Sequence, residues 1–357
     1  MLFNNLPNLG SKAMNPIIVR RDDYLRHALT FNDAERTQVA RFAEWLPHEI
    51  IDGHVHCNTE EQVLDVPQKA CCHMLSTFPY FSLEESYSVH GLLYPGKTVR
   101  CLRFPNAFRG IDQKRANAYL LDQSHPDDRV ALFGLPEDVE YTRGMLSHER
   151  VSALKMYYSY VEPTAEVIYD CFPPRVLERA QQLDIPIVLH LPKVITRSQD
   201  DLAAMLKDFP SIRIVLAHLG LSKSVIPGLR EAFLRFAEYP NVSMDTALNP
   251  SSEVVALAIE TFGWRRIIFG SDEPLNLLRS RPYRHPVLGE RLVTNYPYHW
   301  ADPQEQREYA HLARNLVHAQ WLSLSALFDA IENLPADERE SAKTHIFSQN
   351  AKRVYGF

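Results

Sequence analysis

The stretches that decide the fold lie in the second half of the chain, where short apolar runs return at nearly equal intervals. The four runs are IPIVLHLP (185–192), IRIVLAHLG (212–220), NVSMDTALN (241–249) and RIIFGSDEP (266–274). They begin 27, 29 and 25 residues apart. The segments between them carry apolar residues three and four positions apart, as amphipathic helices do. Short apolar runs that alternate with helices predict parallel strands buried on both faces.

The same alternation continues toward the N-terminus. Helices are predicted at about 111–123, 137–148 and 165–183. Eight strand–helix units in about 225 residues match the size of a (β/α)8 TIM barrel. No GxGxxG turn follows a strand, which argues against a doubly wound open sheet. The four additional strand candidates are EIIDGHVHC (49–57), VRCLRFP (99–105), VALFGLP (130–136) and VSALKMYYS (151–159).

Three regions are expected along the chain. Residues 1–48 form an N-terminal extension with a helix near 34–46. Residues 49–274 form the barrel, with a long loop insertion at 58–98. Residues 275–357 form a loop followed by helices that pack on the barrel. Long loops after barrel strands usually build the active-site face, so the insertion is expected there.

Composition excludes several classes of protein. The 357 residues carry a net charge of -6, and 45% of them are hydrophobic, as in globular proteins. The absence of a Lys/Arg run argues against nucleic-acid binding, and no apolar stretch reaches the ~18–20 residues that span a bilayer. The first residues, MLFNNLPNLGSKAMNP, lack the continuous apolar core of a signal peptide. Five cysteines, an odd number, favour reduced thiols in the cytoplasm.

Ionisable side chains stand at the C-terminal ends of the apolar strands. Alternate residues of a strand share one face, so the two histidines of the first strand point the same way. Any one of these residues taken alone is most simply a core residue whose hydrogen bonds are made within the protein. A buried polar group without a partner costs several kcal/mol, however, so several of them need a shared explanation. The six residues are His54 and His56 (strand 1), Lys155 (strand 4), His190 (strand 5), His218 (strand 6) and Asp272 (strand 8). One metal site at this end of the barrel explains them together.

This order of residues resembles the amidohydrolase superfamily. The closing NAKRVYGF (350–357) is also similar to the C-terminal signature of the branch that contains aminocarboxymuconate semialdehyde decarboxylase. The resemblance covers roughly residues 49–274 and is specific to the superfamily, not to one reaction. It implies a divalent metal, with zinc as the first choice and manganese or iron as alternatives. The implied ligands are His54, His56, His190 and Asp272.

The resemblance also implies roles for the remaining site residues. Asp272 is the implied catalytic base, which takes a proton from a water that the metal activates. His218 is either an acid–base group that polarises the substrate or a ligand of a second ion. Lys155 matches a lysine that some members carboxylate to bridge two ions and that is structural in others. One or two ions per chain are therefore both open, with one slightly favoured.

The expected function is hydrolysis of a small molecule, for which a carboxylate-bearing substrate is considered. A non-oxidative decarboxylase on the same residues is the nearest alternative, followed by a metal-dependent oxygenase. A catalytically silent scaffold subunit is least favoured, because all six site positions are intact. The flanking segments also offer surface for a homo-oligomer.

Residues beyond the metal site yield weaker expectations. Arg103 is predicted to bind a substrate carboxylate bidentately, with an arginine paired elsewhere as the alternative. Tyr158 begins the strand-4 loop and is predicted to contact the substrate. Asp52 has the strand parity of His54 and is expected either to support the ligands from below or to be structural. Cys57 has the opposite parity and is expected to point toward the helices.

Overall fold

Eight parallel strands form one sheet in the order β1 to β8, as a barrel requires. The computed structural model describes residues 21–64, 78–108, 110–158, 165–287, 289–294 and 303–357. The eight strands are β1 Glu49–His56, β2 Thr98–Phe104, β3 Arg129–Phe133, β4 Val151–Met156, β5 Ile187–Leu189, β6 Ile214–Leu216, β7 Val242–Asp245 and β8 Ile267–Ile268. Six lie within a predicted strand candidate, and β2 and β3 each begin one residue before theirs.

Helices lie between most consecutive strands and at both ends of the chain. They are α1 Arg21–Leu29, α2 Asp33–Trp45, α3 Leu83–Leu93, α4 Gln113–Gln123, α5 Val139–Met145, α6 Ile168–Cys171, α7 Pro174–Gln182, α8 Gln199–Asp208, α9 His218–Leu221, α10 Leu229–Ala237, α11 Ser252–Phe262, α12 Pro303–Glu308, α13 Ala319–Glu332, α14 Arg339–Thr344 and α15 Asn350–Tyr355. The single helix predicted at 165–183 is two helices. Pro173 and Pro174 lack the backbone N–H that a continuous helix would need there. No described helix is long and apolar enough to cross a membrane.

The barrel closes just beyond the short strand β8. The Gly53 N–H donates to the Phe269 carbonyl at 2.8 Å, and the Asp272 N–H donates to the His54 carbonyl at 3.0 Å. A Cβ at Gly53 would lie 2.8 Å from Ile268 Cγ2, so a side chain there would push the two edges apart. This closure confirms the (β/α)8 barrel predicted from the sequence.

Strand β1 contains a β-bulge between Asp52 and Val55. One extra residue on β1 changes which side chains face inward, since a bulge interrupts the strict alternation of a strand. Asp52 therefore does not share the inward face of His54. It pairs with Cys101 on β2 and lies near His90 of α3. The parity argument for Asp52 was wrong, although its Oδ1 does accept hydrogen bonds from the His54 and Ser271 N–H groups at 3.1 and 2.9 Å.

The C-terminal helix α15 packs against one end of the barrel interior. Val354 and Tyr355 lie in one buried cluster with inward side chains of the strands, among them Ile51 and Val215. Gly53 lies against the Tyr355 ring, because a Cβ there would be 3.4 Å from Cε2. The polar strand-end residues lie beyond this apolar cluster, toward the C-terminal ends of the strands.

A three-stranded antiparallel sheet follows the barrel, where the sequence predicted a loop. Its order is β10–β9–β11, with β9 Arg279–His285, β10 Gly289–Thr294 and β11 Val317–His318. Pro282 of β9 cannot donate a ladder hydrogen bond, because proline has no backbone N–H. In the described chain β11 pairs only with Arg279 and Ser280, so Pro282 lies beyond the end of that pairing.

The N-terminal extension docks onto this sheet through a buried ion pair. Glu35 of α2 is fully buried and lies 2.7 Å from the Arg279 guanidinium. The same carboxylate accepts from the Asn32 N–H in a capping box that begins α2. Arg279 therefore ties the extension to the post-barrel sheet.

Candidate metal centre

Three of the predicted ligands form one compact, buried cluster. His54 and His56 end β1, and Asp272 lies in the loop that follows β8. Asp272 Oδ1 lies 3.4 Å from His54 Nε2 and 3.2 Å from His56 Nε2. One ligand atom from each residue lies within 4.8 Å of the others. This spacing is short enough for one ion to contact all three.

Four histidines in the pocket are oriented by hydrogen bonds from their Nδ1 atoms. The partners are Asp245 Oδ2 for His54 (2.9 Å), the Pro105 carbonyl for His56 (3.1 Å), the Leu191 carbonyl for His190 (3.0 Å) and the Ala247 carbonyl for His218 (2.9 Å). A carbonyl only accepts, so three of these rings donate from Nδ1 and keep a lone pair on Nε2. This is the arrangement that metal-binding histidines adopt, with the outer nitrogen fixing the ring. The donor set fits a divalent metal ion.

His190 and His218 lie together beside this cluster. Their ring centroids are 5.2 Å apart, and the His218 ring is 4.9 Å from that of His54. Tyr157 and Tyr158 pack on His190 at 4.6 and 5.2 Å between centroids. His190 is not among the three residues whose ligand atoms meet within 4.8 Å. The predicted ligand set is thus divided into a close trio and a neighbouring histidine pair.

All predicted metal-site residues line one cavity of about 340 Å³. That volume suits a small molecule. The described lining is His54, His56, Ala107, Lys155, Tyr157, Tyr158, His190, His218, Leu221, Lys223, Leu248, Asp272, Leu275 and Arg291. Tyr158 lines the cavity, and its predicted contact with a substrate stays a prediction. Lys223 and Arg291 were missed, because both lie in segments that carry no strand-end signal.

A family model described as amidohydrolase matches residues 147–357, more than half of the chain. The chain belongs to the amidohydrolase family. It is therefore an enzyme of hydrolase or lyase type, and its family is metal-dependent. The resemblance to amidohydrolases that the sequence indicated is confirmed. No curated protein matches the chain.

Solved structures with the same fold cover most of this amidohydrolase. A 2,6-dihydroxybenzoate decarboxylase from Rhizobium has a TM-score of 0.53 and 15% identity, over 87% of this chain and 99% of its own. An amidohydrolase from Burkholderia multivorans with bound zinc has a TM-score of 0.54 and 14% identity, over 86% and 99%. A probable 2-pyrone-4,6-dicarboxylic acid hydrolase from Acinetobacter baumannii has a TM-score of 0.54 and 12% identity, over 86% and 99%. At these identities the likeness is one of fold.

Asp245 supports the amidohydrolase site from behind and was missed in the sequence. Its Oδ2 pairs with His54 Nδ1, and its Oδ1 accepts from the His218 and Ala247 N–H groups at 2.8 and 3.1 Å. Burial alone would raise the pKa of Asp245, but the adjacent His54 imidazole holds it below its ordinary value. Asp245 ends β7, so the strand-end criterion that selected Asp272 would have found it too.

The substitution Asp245→Asn is expected to weaken metal binding about 10–100-fold, the usual loss when the partner of a ligating histidine is altered. The amide removes the negative charge that orients His54. Competition against a chelating dye measures the affinity, and Asp200→Asn on the exposed start of α8 is the control. Unchanged affinity in Asp245→Asn would show that Asp245 does not hold a ligand.

Lys155 is fully buried, and its Nζ has no hydrogen-bond partner among the described residues. The amine lies 5.1 Å from the centroid of the Phe104 ring and 5.9 Å from that of Tyr157. Burial lowers its pKa to about 8, against the opposing effect of the Asp245 and Asp272 carboxylates. An unpaired amine is thus present inside the pocket.

Arg103 was predicted to bind substrate, and the structure corrects this. It lies outside the described lining of the cavity, on the face of β2 that packs against the helices. The guanidinium is fully buried and pairs with Asp128 at 2.6 Å, and it also donates to Ser86. Cys57 contacts it at 3.2 Å, so the expected outward direction of Cys57 is confirmed. Arg103 stabilises the layer between β2 and α3.

Proposed function

We propose that this amidohydrolase is a metal-dependent hydrolase that acts on a small anionic molecule. The observation that carries the proposal is the contact of buried Asp272 with both His54 and His56 inside one pocket. A carboxylate beside metal-binding imidazoles is placed to accept a proton from a nucleophilic water. Asp272 is the one carboxylate in the described lining of the cavity, so it is the base of choice.

The residues that would hold the ion are His54, His56 and Asp272, with His190 as the fourth ligand. Zinc is the proposed metal, since imidazole and carboxylate donors suit it, with manganese or iron as alternatives. A zinc-bound structure of similar fold supports this choice. When bound, the metal supplies Lewis acidity that lowers the pKa of water and polarises a substrate oxygen.

His218 is proposed as a proton acceptor or a second-ion ligand. Its Nδ1 proton goes to the Ala247 carbonyl, so Nε2 carries a lone pair in the neutral ring. Burial lowers the pKa of His218 to about 3, which favours the neutral form. Polarising a substrate carbonyl by hydrogen bonding would require His218 to take up a proton first.

The charge of the lining supports an anionic substrate. The cations Lys155, Lys223 and Arg291 face the cavity together with the single carboxylate of Asp272. A negative charge on the substrate would reduce the repulsion among these three cations. The same feature favours a carboxylated substrate for decarboxylation, the second candidate reaction, and a decarboxylase shares the fold.

The test separates the two reactions on the zinc-loaded enzyme. Carboxylated lactones are assayed for proton release, carboxylated amides for amine release, and hydroxybenzoates for CO2 release. Proton release from a lactone or amine release from an amide, without CO2, supports hydrolysis, whereas CO2 release supports decarboxylation. Turnover that continues unchanged after a chelator has removed the metal would contradict both.

Lys155→Ala is expected to retain the wild-type metal count, because we propose one ion per chain. The alternative is that the amine reacts with CO2, releasing a proton and becoming a carbamate that bridges two ions. Metal is counted in protein grown with and without bicarbonate, and electron density is inspected at the amine. Loss of one equivalent in Lys155→Ala, with a carbamate in the wild type, would establish the bridged pair instead.

We also propose a cytoplasmic location. Cys57, Cys101 and Cys171 are buried and unbridged, which fits a reducing compartment. Burial raises the pKa of Cys57 to about 12, so this thiol is unreactive. Assembly as a homo-oligomer stays a prediction, and sedimentation would test it.

A further inference from the structure

We propose that Arg291 is a specificity-determining residue, which binds a second carboxylate of the substrate at a distance from the metal ligands. The inference rests on the proposed function and deepens it, since it names the substrate class as small dicarboxylates. Arg291 belongs to neither the barrel nor the metal ligands. It lies on β10, in the β9–β10 hairpin that follows the barrel, and it lines the cavity.

The guanidinium of Arg291 is held in place from one side. Its Nε donates to Glu305 Oε1 at 2.8 Å, and its Nη2 donates to Glu305 Oε2 at 2.6 Å. Glu305 is buried and also accepts from the Tyr283 hydroxyl, which lies opposite Arg291 on β9. Such a bidentate pair fixes the plane of the guanidinium before any ligand arrives. Binding would then cost little side-chain entropy.

The other edge of the guanidinium is available. No described contact occupies Nη1, and about a third of the side chain (31%) is exposed. Because Glu305 takes Nε and one N–H of Nη2, the edge formed by Nη1 and Nη2 still presents two parallel donors. A carboxylate matches that spacing with two hydrogen bonds.

A second cation accompanies Arg291 in the lining. Lys223 is exposed as a residue, but its amine points inward and donates to the Leu248 carbonyl. The ammonium has two further N–H donors, which that carbonyl does not use. Leu248 and Leu275 line the same cavity and offer no negative charge. Lys223 therefore adds a second positive charge to the cavity that Arg291 lines, where the Asp272 and Asp245 carboxylates also act on it.

The test compares probes with one and two carboxylates by calorimetric titration of the zinc-loaded protein and of the metal-free protein. The pairs are benzoate with isophthalate and butyrate with glutarate. We expect at least one dicarboxylate to bind about 10-fold more tightly than its monocarboxylate, as charge-assisted hydrogen bonds imply. Arg291→Ala should remove that preference, because it should weaken binding of the dicarboxylate more than binding of the monocarboxylate. Arg291→Lys should restore only part of it, since an ammonium lacks the planar fork.

The matched control is Arg284→Ala, on the exposed face of the same hairpin. It should keep the wild-type preference, and unchanged thermal unfolding of all variants would show that the hairpin stays folded. Equal binding of both members of each pair by the wild type, or an unchanged preference in Arg291→Ala, would overturn the proposal. Zinc content and hydrolysis are measured on the same samples. A wild-type protein that neither binds zinc nor hydrolyses a substrate would contradict the proposed function. A wild-type protein that does both but does not prefer the dicarboxylate would contradict only the role of Arg291.

Discussion

Replacing both His54 and His56 by alanine is expected to remove most of the bound metal and to abolish turnover. These residues supply two of the three donors that meet within 4.8 Å, and the remaining Asp272 and His190 are too few to hold a divalent ion tightly. Elemental analysis of the purified protein measures the loss against about one ion per chain in the wild type. Far-UV circular dichroism should show almost unchanged helical content, because the barrel closes through backbone hydrogen bonds that neither side chain makes.

The control for this double variant replaces two exposed histidines, His125 and His311, by alanine. It has the same number of substitutions and leaves the cluster intact. It should therefore retain the metal and the activity of the wild type. Full metal retention in the His54/His56 variant would place the ion elsewhere and would contradict the assignment of the metal centre.

The substitution His218→Asn is expected to lower the rate at least ~10²-fold while about one ion per chain is kept. A positioned acid–base group contributes roughly 10²–10⁴-fold to a rate. His218 lies next to the cluster but outside it, with a ring centroid 4.9 Å from that of His54. Its loss should therefore affect proton transfer more than it affects retention of the first ion. Metal content and the pH dependence of turnover are measured together.

Two results would change this assignment of His218. A fall of one whole metal equivalent would make His218 a ligand of a second ion, next to His190. A wild-type rate with a wild-type metal content would remove His218 from the mechanism. His148→Asn, on a surface turn after α5, is the control for a histidine-to-asparagine change outside the pocket.

The sequence by itself determined the barrel and most of the candidate site. Apolar runs that alternate with helices specify parallel strands, and such strands end at one face of a barrel. Polar residues at those ends must therefore meet, as His54, His190 and Asp272 do in one pocket. Asp245 carries the same signal and was within reach of the same reasoning.

Only the tertiary structure decided which residues surround that centre. The bulge in β1 depends on its pairing with β2, and it moves Asp52 away from the face that strict alternation predicts. Arg103 faces the helices because Asp128, 25 residues later in the chain, neutralises it there. Arg291 reaches the pocket through the β9–β10 hairpin, where Glu305 holds it. Local patterns carry no information on such contacts, because their free energy comes from partners that only folding brings together.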